Sequence, residues 1–124
     1  MIANYFKRIE NTIDEYNYII EDYIISKQTF TQEKGAIEGE IFFSDNSQLD
    51  FNEVINAGYK TKQKYSYHYM DKNKNLFFRY DNVQHHREIE TFPHHKHTKY
   101  EILESVEPDL GKVLSEIEQI ILNN

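Results

Sequence analysis

A chain of 124 residues without cysteine suits one domain with a single hydrophobic core, and it offers no disulfide framework, thiolate nucleophile or zinc–sulfur site. The opening Met-Ile-Ala-Asn-Tyr-Phe turns polar at once and no apolar run approaches the ~20 residues that cross a bilayer, so secretion and membrane insertion are not expected and the compartment is read as cytoplasmic. A formal charge of −7 argues against nonspecific nucleic-acid binding, because phosphate contacts rest on Lys and Arg.

In chain order, Ile2, Tyr5, Phe6, Ile9, Ile13 and Tyr16 recur at the three-to-four spacing of one helical face, which predicts an amphipathic helix ending near Asn17. The pattern then changes to β-rich runs at 18–25, 36–43 and 48–55. Asp45-Asn46-Ser47 has the turn chemistry to join the last two as a hairpin, since Asp and Asn bond locally and tolerate a left-handed backbone. Glu53, the one acid late in the third run, faces either solvent or a site.

Tyr65, Tyr67 and Tyr69 alternate with Ser66, His68 and Met70; a polar turn at 71–75 leads to a second strand at 76–81. Two registers are open. If opposed residue numbers sum to 147, His68 faces Arg79 on one side of the sheet; if they sum to 146, Tyr67 faces Arg79. From 82 to about 100 no period is sustained, and structureless stretches of that length are usually functional or disordered. The final run is clear: Pro108 suits a first helical turn, and Leu110, Val113, Leu114, Ile117, Ile120 and Ile121 make an apolar stripe. Gly111 weakens this helix by roughly 1 kcal/mol relative to Ala. The expected architecture is α+β: an antiparallel sheet of about five strands flanked by an N-terminal and a C-terminal helix, as one domain over residues 1–124.

Two compositional features bear on function. The chain has ten tyrosines and no tryptophan, so much of its interior carries hydroxyls that need partners. Charge is also uneven: Lys60 to Lys99 holds nine Lys/Arg against four acids and all six histidines, while the remainder holds five bases against seventeen acids. Such a patch attracts an anion locally while the rest of the surface repels polyanions. The lysines Lys60, Lys62 and Lys64 also fit a protected strand edge.

Arg79, Asp81, His85, His86, His94, His95, Lys96 and His97 fall within a short stretch. Imidazole, with an ordinary pKa of about 6.5, both takes and gives protons near neutrality. One task open to the cluster is acid–base work on a phosphodiester, with Arg79 or Lys96 holding the charge that grows on phosphate. Another is binding zinc or a similar divalent ion through imidazoles and Asp81; His95 and His97, one residue apart, would share a side of an extended backbone. A third is structural, the histidines pinning the long loop to the sheet. His68, alone among tyrosines, is the histidine most readily read as structural.

The series Tyr65-Ser66-Tyr67-His68-Tyr69, Phe78-Arg79-Tyr80-Asp81-Asn82, His85-His86 and Thr91-Phe92-Pro93-His94-His95-Lys96-His97 resembles the signature of the TumE family of toxin–antitoxin toxins. The opening helix with Tyr5-Phe6, the hairpin with Leu49 and Phe51, and the closing helix extend the likeness over nearly the whole chain. Val83-Gln84 stands where the family commonly has Ala-Pro, so the approach to the histidine pair lacks proline's rigidity.

The resemblance implies a toxin of a type II system, paired with an antitoxin that carries a helix-turn-helix domain, and translation arrest by RNA cleavage is the activity expected by analogy. The leading expectation is a metal-independent ribonuclease in which Arg79, Asp81, His85, His86, His94, His95 and His97 form the catalytic set. Lys60, Lys62, Lys64, Arg87, Lys96 and Tyr67 are expected to contact RNA. No cofactor is required by this reading, although a divalent metal such as zinc is compatible with the same residues. The alternatives are a non-catalytic module binding protein or nucleic acid, and a metal-dependent nuclease or nucleotidyl-transfer enzyme. Both a monomer and a homodimer fit the sequence.

Overall fold

The two periodicities of the chain become two layers, helices at a spacing of 3.6 and strands at a spacing of two. The computed structural model describes residues 1–59, 61–83 and 93–123. Helix α1 (Ile2–Glu15) is followed by seven strands, β1 (Ile20–Thr29), β2 (Lys34–Phe43), β3 (Gln48–Asn56), β4 (Lys64–Met70), β5 (Leu76–Asp81), β6 (His95–Thr98) and β7 (Ile102–Glu104), and then by α2 (Leu110–Leu122). Each strand is antiparallel to its sequence neighbour, in the order β1-β2-β3-β4-β5-β6-β7. The expected two helices and antiparallel sheet are present, with seven strands rather than about five. The additional pair, β6 and β7, is short and lies where no apolar alternation marks a strand. His95, Lys96, His97 and Thr98 are polar on both faces, so backbone pairing with β5 makes them a strand.

Both helices cover one face of the sheet. Ile2, Phe6, Ile9 and Ile13 of α1 and Leu110, Val113, Leu114 and Ile117 of α2 pack in one cluster with Ile37, Ile41, Leu49, Phe51, Tyr65, Tyr67, Tyr69 and Phe78. Removing this apolar surface from water is the main force holding the layers together. Helix α2 begins at Leu110, two residues later than a proline at the first helical position would place it. Asp109 is its N-cap, accepting a 2.8 Å hydrogen bond from the Lys112 amide, and Pro108 lies just outside.

The turns follow their chemistry. Asn46 adopts φ 69°, the left-handed conformation that Asn tolerates, and Asp45 Oδ1 accepts from the Ser47 amide at 3.0 Å. Gly39 has a different reason for being glycine: it opposes Phe51 across the β2–β3 ladder, and a Cβ there would stand 2.6 Å from Phe51 Cε1. Phe51 is 2% exposed and has little room to give. Gly39→Ala should therefore lower stability by about 1–3 kcal/mol in urea denaturation, the usual cost of overpacking.

The buried tyrosines each find the partner their hydroxyls require. Tyr69 donates to Ser47 Oγ at 2.8 Å, Tyr67 donates to Glu53, and Tyr65 Oη lies 2.9 Å from His94 Nδ1. Burial raises all three pKa values, that of Tyr69 to about 12, so the hydroxyls remain protonated. Glu53 is neither on the surface nor in an open site. It is fully buried on the helix side, accepting hydrogen bonds from Tyr5 of α1 and Tyr67 of β4.

Candidate active site

Pairing in the β4–β5 hairpin takes the register that sums to 147, with His68 opposite Arg79, until a shift near Tyr69 and Met70. That choice decides which side chains meet. Because side chains alternate along each strand, residues directly opposed on neighbouring strands form rows across one face. On the face away from the helices, one row runs Asp50, His68, Arg79, His97 over β3 to β6, and the next runs Asn52, Ser66, Asp81, His95.

Asp81 is the hub. Its Oδ1 lies 2.6 Å from His95 Nε2, and its Oδ2 lies 2.9 Å from Arg79 Nε and 3.5 Å from His97 Nε2. The same carboxylate accepts from the Val83 amide at 3.1 Å, which ties the chain leaving β5 to the site. Asp81 and His95 side chains are 1% exposed, whereas His97 is 22% and Arg79 41% exposed. The dyad is therefore buried, and its two neighbours reach solvent. The rings of His95 and His97 meet edge to face, 4.7 Å between centroids.

Beside this group a cleft of about 440 Å³ opens across the sheet, with Ser66, His68 and Arg79 on one side and Glu38, Asp50 and Asn52 on the other. Its two walls differ in charge. Burial, and then the positive charge of Arg79, hold the His68 imidazole below its ordinary pKa of 6.5, against a smaller opposing pull from Asp50. His68 is accordingly neutral near pH 7 and able to accept a proton.

The structure separates the residues picked out by sequence. Arg79, Asp81, His95 and His97 converge, with His95 and His97 on one side of β6 as their spacing predicts. His94 and Lys96 point to the opposite face. The His94 ring stacks on Tyr65, and Lys96 Nζ lies 2.7 Å from Glu116 of α2, over the rings of Phe78 and Tyr80. Burial pulls the Lys96 pKa down, but the hydrogen bonds to Glu116 and Tyr80 outweigh it and the net shift is upward. Lys96 is thus a charged clamp between sheet and α2 rather than a phosphate contact in the cleft.

Tyr67 is fully buried and bonded to Glu53, so no base reaches its ring. Lys62 turns inward, donating to the Pro108 carbonyl at 2.9 Å and lying 3.8 Å from Glu107. Lys64 is exposed and stands beside Glu38 and Asn52, adjoining the cleft. Lys60, His85, His86 and Arg87 lie outside the described residues. The sequence alone marks His68 as structural and does not single out Ser66 and Asn52. Their signal was the hairpin register, which alternation alone leaves open.

The fold and site together define a small α+β protein that covers one sheet face with helices and displays imidazole, carboxylate and guanidinium groups on the other. The chain belongs to the TumE toxin family, whose model, described as Toxin TumE, matches residues 7–121. No curated protein and no solved structure matches it. Membership in a toxin family implies a cognate antitoxin as partner. Among the described residues, no helix is long and apolar enough to cross a membrane.

Proposed function

We propose that this toxin cleaves RNA on the open sheet face and is held inactive by an antitoxin carrying a helix-turn-helix domain. The observation that carries this reading is the row His68, Arg79, His97, in which a guanidinium stands between two imidazoles on adjacent strands. Adjacent strands are about 4.8 Å apart, so the outer two positions are separated by about 10 Å, room for one phosphodiester over Arg79.

In this reading Arg79 pairs with the phosphate oxygens, and Asp81 at its Nε sets the direction of the guanidinium. His68 accepts the proton of the attacking 2′-hydroxyl. The new bond forms between that oxygen and phosphorus, and the bond to the 5′ oxygen breaks. The leaving oxygen departs toward the group made by Asp81, His95 and His97, where its charge is neutralised; a water from the open face gives it the proton of the 5′-hydroxyl, and the hydroxide left behind takes the proton held by His68. The products are a 2′,3′-cyclic phosphate and a 5′-hydroxyl end. Glu38 and Asp50 on the far wall repel a continuous phosphate track and favour a short single-stranded segment entering from the Lys64 side.

Induced expression of the toxin with and without its partner gene tests the reading. Growth should stop only when the partner is absent, and RNA from the arrested cells should carry new 5′-hydroxyl ends. Growth arrest by a folded toxin with intact RNA would reject it and leave binding, rather than cleavage, as the activity.

A further inference from the structure

The buried dyad contains a chemical conflict that points beyond a simple ion pair. His95 Nδ1 lies 2.8 Å from the Pro93 carbonyl oxygen. A carbonyl only accepts, so Nδ1 carries a proton and donates it. In a neutral ring Nε2 is then a lone pair, and it is aimed at Asp81 Oδ1 from 2.6 Å. Two acceptors do not approach that closely without a positive charge shared between them. Either a second proton supplies it, in a site 1% exposed, or a metal ion does. An imidazole whose far nitrogen donates to a backbone carbonyl is the usual arrangement of a metal-ligating histidine, because that bond fixes the tautomer and aims the lone pair.

A third donor stands in place. His97 Nε2 is 3.5 Å from Asp81 Oδ2, and one ligand atom from each of Asp81, His95 and His97 falls within 4.8 Å of the others. An ion with ligands at about 2.0–2.2 Å spaces them about 3.3 Å apart in a tetrahedron, so taking one up requires His95 and Asp81 to part by roughly 0.7 Å and the more exposed His97 to turn inward. Arg79 sits at the rim with its Nε on the same carboxylate.

We propose that Asp81, His95 and His97 form a three-ligand site for one divalent first-row metal ion, zinc above the others. Two neutral imidazoles and a carboxylate suit borderline ions, and three protein ligands leave a coordination position open, as in catalytic rather than structural zinc sites. Arg79, which contacts the same carboxylate, lines the cleft, so the site would adjoin the phosphate that Arg79 would hold. Bound there, the ion would supply the positive charge that neutralises the leaving oxygen, which takes up the metal-dependent alternative offered by the sequence. The ion's chemical role rests on the RNA-cleaving reading; its binding does not.

The test uses the full chain without an affinity tag, stripped with chelator, and titrated with Zn²⁺ by calorimetry and with Co²⁺ by visible absorbance. One ion per chain should bind with a Kd of about 1 μM or tighter, raise Tm, and give the ligand-field bands of a low-symmetry nitrogen–oxygen site. His97→Ala and Asp81→Asn should each weaken binding at least tenfold, whereas His94→Ala, on the opposite face, should leave it unchanged. If His97→Ala fails to fold, His97→Gln gives the same comparison. Absence of uptake, or uptake unchanged in the His97 and Asp81 variants, overturns the proposal and leaves Asp81 and His95 as an ion pair. A metal-loaded chain that leaves RNA intact keeps this site and refutes the RNA reading; cleavage undiminished in the stripped chain keeps the RNA reading and overturns the ion's part in it.

Discussion

Under the proposed RNA-cleaving reading, Arg79→Ala should leave the fold intact and reduce cleavage by about two to three orders of magnitude, the usual consequence of removing one positioned donor to a developing negative charge. The side chain is 41% exposed and forms no part of the apolar cluster, so far-UV circular dichroism of the variant should match the parent. Its loss frees Asp81 Oδ2 from the contact with Nε but leaves the Oδ1 contact with His95. The sheet should therefore hold while phosphate binding fails. Arg79→Lys keeps the charge and cannot reproduce the planar fork, so it should recover little of the activity. On the same reading His68→Ala should lower the rate by a comparable factor, about 10² or more, because it removes the proposed base beside the guanidinium. Growth after induction and quantified 5′-hydroxyl ends read both effects. A folded Arg79→Ala variant that arrests growth as fast as the parent removes the open face from the mechanism.

Glu53→Ala should cost about 2–4 kcal/mol, as it deprives two largely buried tyrosine hydroxyls of their acceptor at about 1–3 kcal/mol each. The carboxyl bridges α1 and the sheet through Tyr5 and Tyr67, so the loss should also loosen the helix. Glu53→Gln keeps the volume and one acceptor and should cost less. Its informative feature is pH. Burial raises the Glu53 pKa above 4.5, although Lys62 and the two hydroxyls pull the other way. A carboxyl raised in the folded state binds its proton more tightly there than in the unfolded chain. Its contribution is complete below pH 4.5 and is lost as pH rises through the raised value. The parent should thus lose stability relative to Glu53→Gln as pH climbs through that window, followed as the difference between the two Tm values so that common titrations cancel. A constant difference would mean the carboxyl is not desolvated.

These two sites lie on opposite faces of the same sheet, which explains how much of each could be read in advance. Helix α1 was legible because its apolar residues repeat at a helical spacing, and α2 for the same reason. The β2–β3 turn was legible because Asp45, Asn46 and Ser47 carry their own local hydrogen-bonding. Strands β6 and β7 were not, since no side-chain alternation distinguishes His95 to Thr98 from a loop and only pairing with Phe78 to Asp81 makes them extended. Among the histidines, residue type marked a stretch of chain and could not sort its members by face. One step along β6 divides His95 and His97 in the site from His94 and Lys96 under the helices.

By itself, then, the amino-acid order determined the class of fold, the two helices, the tyrosine-rich interior and the stretch in which basic residues and imidazoles gather, because each depends on local spacing and on residue type. The tertiary structure alone decided that His68 stands beside Arg79, that Tyr67 and Lys62 are turned inward, and that Asp81 joins His95 and His97. Those outcomes depend on strand register, and a one-residue slip in an antiparallel ladder sends every side chain to the other face at no cost to local propensity. What selects the register is burial of Tyr65, Tyr67 and Tyr69 beneath both helices, a contact between segments far apart in the chain.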